Sequence, residues 1–123
     1  MNRPILLTEW YSKALDAPGL SNSGGAGWLV QAQSDRADYY QHFALAAMET
    51  PSLVGFHYFK YLDDAASSKH LDSSGGSNKG LYTADGIPWM VLDNAARSVN
   101  RLAYPLIDFF DRRRATEKVP AAH

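Results

Sequence analysis

The chain opens with an unbroken apolar run, Pro4-Ile5-Leu6-Leu7, that ends in Thr8-Glu9-Trp10-Tyr11. Such a run predicts a buried strand that delivers a carboxylate into a pocket at its C-terminal end. From Ser12 to about Gln33 the pattern dissolves into an irregular segment punctuated by Pro18-Gly19 and by Ser21 to Gly27. Connections of this length inside a compact domain are usually binding loops, and Trp28-Leu29-Val30 supply the apolar residues expected to anchor one. Ser34 is the expected N-cap of a helix running to about Glu49, with Asp35 in its first turn. Tyr40, Phe43, Ala44, Ala47 and Met48 form its apolar face, and Asp35, Arg36, Asp38 and Gln41 its polar one. Pro51 ends it. Leu53 to Tyr61 then reads as a second strand, apolar on both alternating sets until Lys60, as in a parallel sheet covered on both sides.

A second long loop, Leu62 to Lys79, leads into a hairpin-like element, Gly80 to Pro88, turning at Asp85-Gly86. Pro88 marks the start of a helical stripe through Leu92, Ala95, Ala96, Val99, Leu102, Leu106 and Phe109 or Phe110, which Pro105 must kink or interrupt. Arg112, Arg113 and Arg114 place cations at the negative end of that helix, a better account of them than a nucleic-acid patch. Residues 115–123 are expected to be a disordered tail, leaving 1–114 as the structured unit. The order strand-loop-helix-strand-loop-helix makes the two strands parallel and puts both long loops at their C-terminal ends, where ligands bind in such folds. The fold class is therefore α/β. Two repeats make only a quarter of an eight-stranded barrel, which typically needs about 250 residues, so the chain reads as a partial (β/α)8 TIM barrel.

With 123 residues, no cysteine and a net charge of -1, the chain fits one small domain without disulfides and is too balanced to bind nucleic acid by charge. No signal peptide and no membrane span are expected, and no metal or cofactor is implied. Three Trp, seven Tyr and five Phe, several beside loops, are the composition of a sugar binder, whose flat rings stack on pyranose faces; on composition alone, ordinary packing is the better account of them.

Several stretches, in order, resemble the C-terminal part of the β-agarases of glycoside hydrolase family fifty. They are Leu-Leu-Thr-Glu-Trp-Tyr-Ser-Lys-Ala from Leu6, Gly-Ala-Gly-Trp-Leu-Val from Gly25, and Asp-Arg-Ala-Asp-Tyr-Tyr-Gln-His-Phe-Ala-Leu from Asp35. Val-Gly-Phe-His-Tyr-Phe-Lys-Tyr from Val54, Ser-Asn-Lys-Gly-Leu-Tyr from Ser77 and Tyr-Pro-Leu-Ile-Asp-Phe-Phe-Asp from Tyr104 complete the set. The resemblance covers residues 4 to about 112 and implies repeats seven and eight of a barrel that hydrolyses the β-1,4 linkages of agarose or agaro-oligosaccharides. It implies that Glu9, in Thr-Glu-Trp-Tyr, is the nucleophile of a retaining glycosidase. Such an enzyme needs a second carboxylate about 5 Å away as acid and base.

The resemblance further implies substrate-binding positions at Trp10, Tyr11, His57, Tyr58, Lys60, Tyr61, Asp63, Asn78 and Lys79. Where the family has Trp-His-Trp-Phe-Lys-Tyr, this chain has Phe56-His57-Tyr58-Phe59-Lys60-Tyr61, an aromatic floor with smaller rings. Alternation leaves open which set faces the pocket: His57, Phe59 and Tyr61, or Phe56, Tyr58 and Lys60. His57 also reads as a satisfied core residue, and Asp63, Asp64, Asn78 and Lys79 as parts of a solvated loop. The general acid/base of the family belongs to the fourth strand, and nothing here corresponds to strands one to six. The isolated chain is therefore expected to be inactive. A small non-catalytic saccharide-binding or assembly protein is the alternative, with the missing N-terminal part of a barrel, or another copy, as partner. The parent enzyme is expected to be a secreted or periplasmic bacterial protein.

Overall fold

A computed structural model describes residues 3–117. In chain order the elements are β1 (Ile5–Trp10), β2 (Ser12–Ala14), β3 (Trp28–Val30), α1 (Gln33–Glu49), β4 (Leu53–Tyr58), α2 (Met90–Arg101) and α3 (Ala103–Glu117). β1 and β4 pair in parallel, as a helical crossover between neighbouring strands demands. The core lies between that pair and the helices: Trp10, Tyr40, Ala44, Met48, Leu92, Ala96, Val99 and Phe110 form one buried cluster.

Trp10 is its centre. Its indole stacks on Phe43 with ring centroids 3.8 Å apart and meets Tyr40 at 5.1 Å and Tyr58 at 5.0 Å. Burying rings of this size supplies much of the driving force for a chain this short.

Several expectations need correction. The segment after β1 is not wholly irregular: Ser12, Lys13 and Ala14 pair in parallel with Trp28, Leu29 and Val30. Backbone bonds hold it there, because Trp28 and Leu29 are 68% and 48% exposed. Helix α1 begins one residue before Ser34, with Ala32 at its N-cap. Asp35 does the capping, its carboxylate accepting from the backbone N–H of Gln31 at 3.1 Å and of Ala32 at 3.0 Å. An acceptor reaching back from the first turn satisfies donors that the helix leaves free, so no hydroxyl is needed.

Strand β4 stops at Tyr58, three residues short of the expected end, because the backbone beyond it turns to a new partner. Lys60 N–H donates to Lys79 O at 3.2 Å, Leu81 N–H to Lys60 O at 3.1 Å and Tyr82 N–H to Tyr61 O at 3.0 Å. The β1–β4 pair is also not covered on both faces by the described residues. Ile5 and Leu6 are each 50% exposed and Val54 67%.

The turn at Asp85-Gly86 forms as expected, with Gly86 at φ 82 and an antiparallel bridge between Tyr82 and Pro88. The long C-terminal stripe is interrupted ahead of Pro105: α2 ends at Arg101 and α3 starts at Ala103. The break places the proline in the first turn of α3, where its missing N–H costs nothing. Helix α3 runs on through Glu117, three residues into the stretch expected as a tail; residues 118–123 lie outside the described part. No described helix is long and apolar enough to cross a membrane.

Candidate active site

Simple alternation from Leu7 would turn Glu9 toward α1, where Leu7 packs against the core. The register prevents it. Leu7 pairs with Phe56 and Trp10 with Tyr58, so three steps on β1 oppose two on β4. The extra residue is a bulge, a device that re-aims a side chain where a ladder ends. Leu7 and Trp10 both reach the helix side, while Thr8 and Glu9 between them are exposed. The carboxylate thus stands free of α1 at the C-terminal end of β1.

Around that end lie two rings and several charges. Tyr11 is buried, its ring 5.8 Å from that of Phe59. The Lys79 ammonium sits 5.1 Å from the Tyr11 ring and 5.9 Å from the Phe59 ring. Burial chiefly, then the charges of Glu9, Asp72 and Asp64, pushes the Tyr11 hydroxyl above its ordinary range, so it keeps its proton. Lys60, half-buried, pairs with Asp64 at 2.5 Å.

The two alternate sets of β4 are now distinguished. Phe56 and Tyr58 pack against Trp10 and so face α1, whereas His57 between them is exposed. The rings at the Glu9 end are therefore Phe59 and Tyr11, and the expected floor of Phe56 and Tyr58 lies on the other side. Trp10 is likewise a core residue, and the Tyr58 hydroxyl accepts from Arg36 at 3.0 Å. Tyr61 is 66% exposed and leans on Tyr82, with centroids 4.8 Å apart.

Asp63 and Asn78 are buried inside the wall of the site, so the reading of a solvated loop does not hold for them. Asn78 Oδ1 accepts from Gln33 Nε2 at 2.8 Å, Arg36 at 3.0 Å and Ala14 N–H at 3.3 Å, while its Nδ2 donates to Asp63 at 3.0 Å. Asp63 also accepts from Gly80 N–H at 2.6 Å and the Trp89 indole at 2.8 Å. Burial raises the Asp63 carboxyl above its usual range, against the pull of those bonds and of Arg36. Lys79 is 2% exposed and donates to Asp72 O at 3.2 Å.

Two residues that organise this wall escaped the sequence reading. Arg36, assigned there to the polar face, is fully buried. It donates to Ser12 O at 3.0 Å, Gly80 O at 2.7 Å and Gln33 Oε1 at 2.8 Å besides Asn78 and Tyr58, joining β2, α1, β4 and the second loop. Its place in the series 36, 40, 44, 47, on the apolar stripe, was the available signal. Lys13, also buried, donates to the carbonyls of Asn22 at 3.1 Å, Gly24 at 2.8 Å and Gly25 at 3.4 Å. Burial first, and then the charge of Lys79, lowers its pKa. Among the described residues no cluster of His, Asp or Glu could hold a metal ion.

Parallel strands joined by a crossover helix make a partial α/β fold of the kind found in part of a TIM barrel, with a carboxylate exposed at the C-terminal end of β1. Comparison with known proteins narrows the class. The chain is 28% identical over 108 residues to β-agarase B of Vibrio sp. (strain JT0107), covering 86% of this chain and 11% of that protein. Among solved structures it matches BpGH50 with a TM-score of 0.76 and 39% identity, over 88% of this chain and 21% of that one. An exo-β-agarase matches with a TM-score of 0.74 at 23% identity, over 86% of this chain and 14% of that one, a likeness of fold. No family model matches. The chain is thus similar in sequence and structure to a segment of the family-fifty β-agarases, and spans about a tenth of the length of the curated relatives it matches.

Proposed function

We propose that this chain forms the seventh and eighth repeats of a retaining β-agarase barrel, with β1 and β4 as strands seven and eight and Glu9 as the nucleophile. The observation that carries the reading is the bulge that frees Glu9 from the helix side, in a chain similar to agarases over most of its length. Glu9 attacks the anomeric carbon as the glycosidic C–O bond breaks, and a carboxylic acid from another part of the barrel donates its proton to the leaving oxygen. Water, deprotonated by that second carboxylate, then releases the sugar and restores Glu9. Tyr11 supports the ionised nucleophile, and His57, Lys60 and Tyr61 are the positions we assign to the sugar. Lys79 backs the Tyr11 and Phe59 rings, and Trp10, Tyr58, Asp63 and Asn78 hold the wall. The substrate is an agarose-type polysaccharide or oligosaccharide.

On this reading the 123 residues carry one carboxylate of a cooperating pair and by themselves leave agarose intact. Reducing-sugar release from agaro-oligosaccharides by the purified chain, abolished in Glu9→Gln, would overturn the claim of an incomplete pair. A second reading, a binding or assembly protein, is favoured by the exposed Ile5, Leu6 and Val54 and by the two-stranded β1–β4 sheet, whose outer edges other strands could extend. Its partner is the remainder of a barrel or another copy of the chain. Sedimentation giving a stable folded monomer, unaltered by the complementary barrel fragment, would remove it.

A further inference from the structure

A cleft of about 520 Å³ lies among the first loop, the second loop and the hairpin. Pro18 and Leu20 form one wall, Ala65 and Ala66 another, and Ile87 with Trp89 the third. This volume falls in the range of small-ligand sites, and the lining is predominantly apolar, as such sites are. No lysine, arginine or histidine lines it. Its two carboxylates are Asp63, whose oxygens are taken by Gly80, Asn78 and Trp89, and Asp85, which is exposed at the rim. The indole edge of Trp89 is fixed by its bond to Asp63 at 2.8 Å, so this wall is preformed.

We infer that this cleft is a second, non-catalytic site for a neutral saccharide, distinct from the Glu9 end of β1. The inference rests on the agarase reading for the class of ligand. Charge decides within that class: two acidic side chains and no cation disfavour a sulfated or carboxylated sugar, whereas a neutral unit can lay its C–H face on Ile87, Leu20 and Trp89. The walls come from the loops that also flank the Glu9 end, so an occupant would hold a chain near that end without touching Glu9.

The test is amide and indole NMR of the full chain, titrated with a neutral agaro-oligosaccharide and separately with a sulfated carrageenan oligosaccharide. The neutral sugar is expected to give saturable shifts at Leu20, Ala65, Ala66, Ile87 and the Trp89 indole N–H. These should persist in Glu9→Gln and weaken at least tenfold in Ile87→Asp, an exposed position whose replacement leaves the core intact. Ala65→Leu, which fills the cleft with an apolar side chain, should weaken them likewise. Shifts confined to the Glu9 end would overturn the second site while leaving the agarase reading in place. Shifts in the cleft alone would support the site and count against a sugar site at Glu9. Equal binding of the sulfated sugar would overturn the neutral selectivity, and no shifts with either sugar would overturn the inference entirely.

Discussion

A single extra residue between Leu7 and Trp10 decides what Glu9 can do. Without it the carboxylate would lie against α1 among aromatic rings; with it the carboxylate is exposed and within the electrostatic reach of Tyr11. Arg36 decides the rest, since five groups depend on its guanidinium. A lysine ammonium has three donors and lacks the planar fork, so Arg36→Lys should leave buried acceptors unpaired and cost roughly 2–4 kcal/mol in denaturant titration. A loss below about 0.5 kcal/mol, the size typical of a surface change, would contradict that role.

Tyr40 makes the residue-scale case for pH. Burial raises its hydroxyl above 10.0, with the Asn100 bond opposing. A raised folded pKa means that the protonated hydroxyl contributes stability below the unfolded value, and that this is lost as pH rises through the folded one. The urea midpoint should therefore fall as pH is raised above about 10, and Tyr40→Phe should flatten that fall. An unchanged slope in the variant would assign the alkaline loss to other groups.

At the scale of elements, the two loops behave as one body. Asn22, at φ 52, accepts from Asn78 N–H at 2.7 Å and donates to Ala14 O at 2.9 Å. Ser21 N–H and Asn22 N–H donate to Gly75 O at 2.9 Å and Gly76 O at 3.2 Å. Asn22→Ala removes two buried bonds and keeps an unfavourable backbone, so the first and second loops should lose hydrogen-exchange protection together while α1 and α2 keep theirs. Loss in one loop alone would show that they open separately. Gly27 is as constrained: at φ 95 its Cβ would overlap the Tyr11 ring, so Gly27→Ala must displace either that ring or the loop.

Much of this organisation was legible. The apolar run of β1, the stripe of α1, the turn at Asp85-Gly86 and the break before Pro105 each follow from local chemistry that the fold leaves unaltered. The β2–β3 pair was not, because its exposed Trp28 and Leu29 give no burial signal and backbone bonds leave no mark on composition. The bulge was not legible either, since periodicity describes an unbroken ladder. Asp63, Asn78 and Lys79 were found as polar residues beside the site, yet spacing could not say that they face inward, where long-range partners satisfy them.

At the scale of the whole molecule, the apolar character of β1 and β4 on both alternating sets finds cover only on the helix side. On the proposed reading, the exposed Ile5, Leu6 and Val54 are positions that further strands of a barrel would cover. The agarase account therefore predicts that the chain gains its chemistry from a complete barrel. The direct test is to graft residues 3–117 into β-agarase B of Vibrio sp. (strain JT0107) in place of the matching segment and to assay agarose hydrolysis. The account predicts an active chimera, activity lost by at least a thousandfold in its Glu9→Gln form, on the order of the loss when one member of a catalytic unit is removed, and no turnover by the isolated chain. A folded, active chimera that keeps its rate with Gln at position 9 would contradict it.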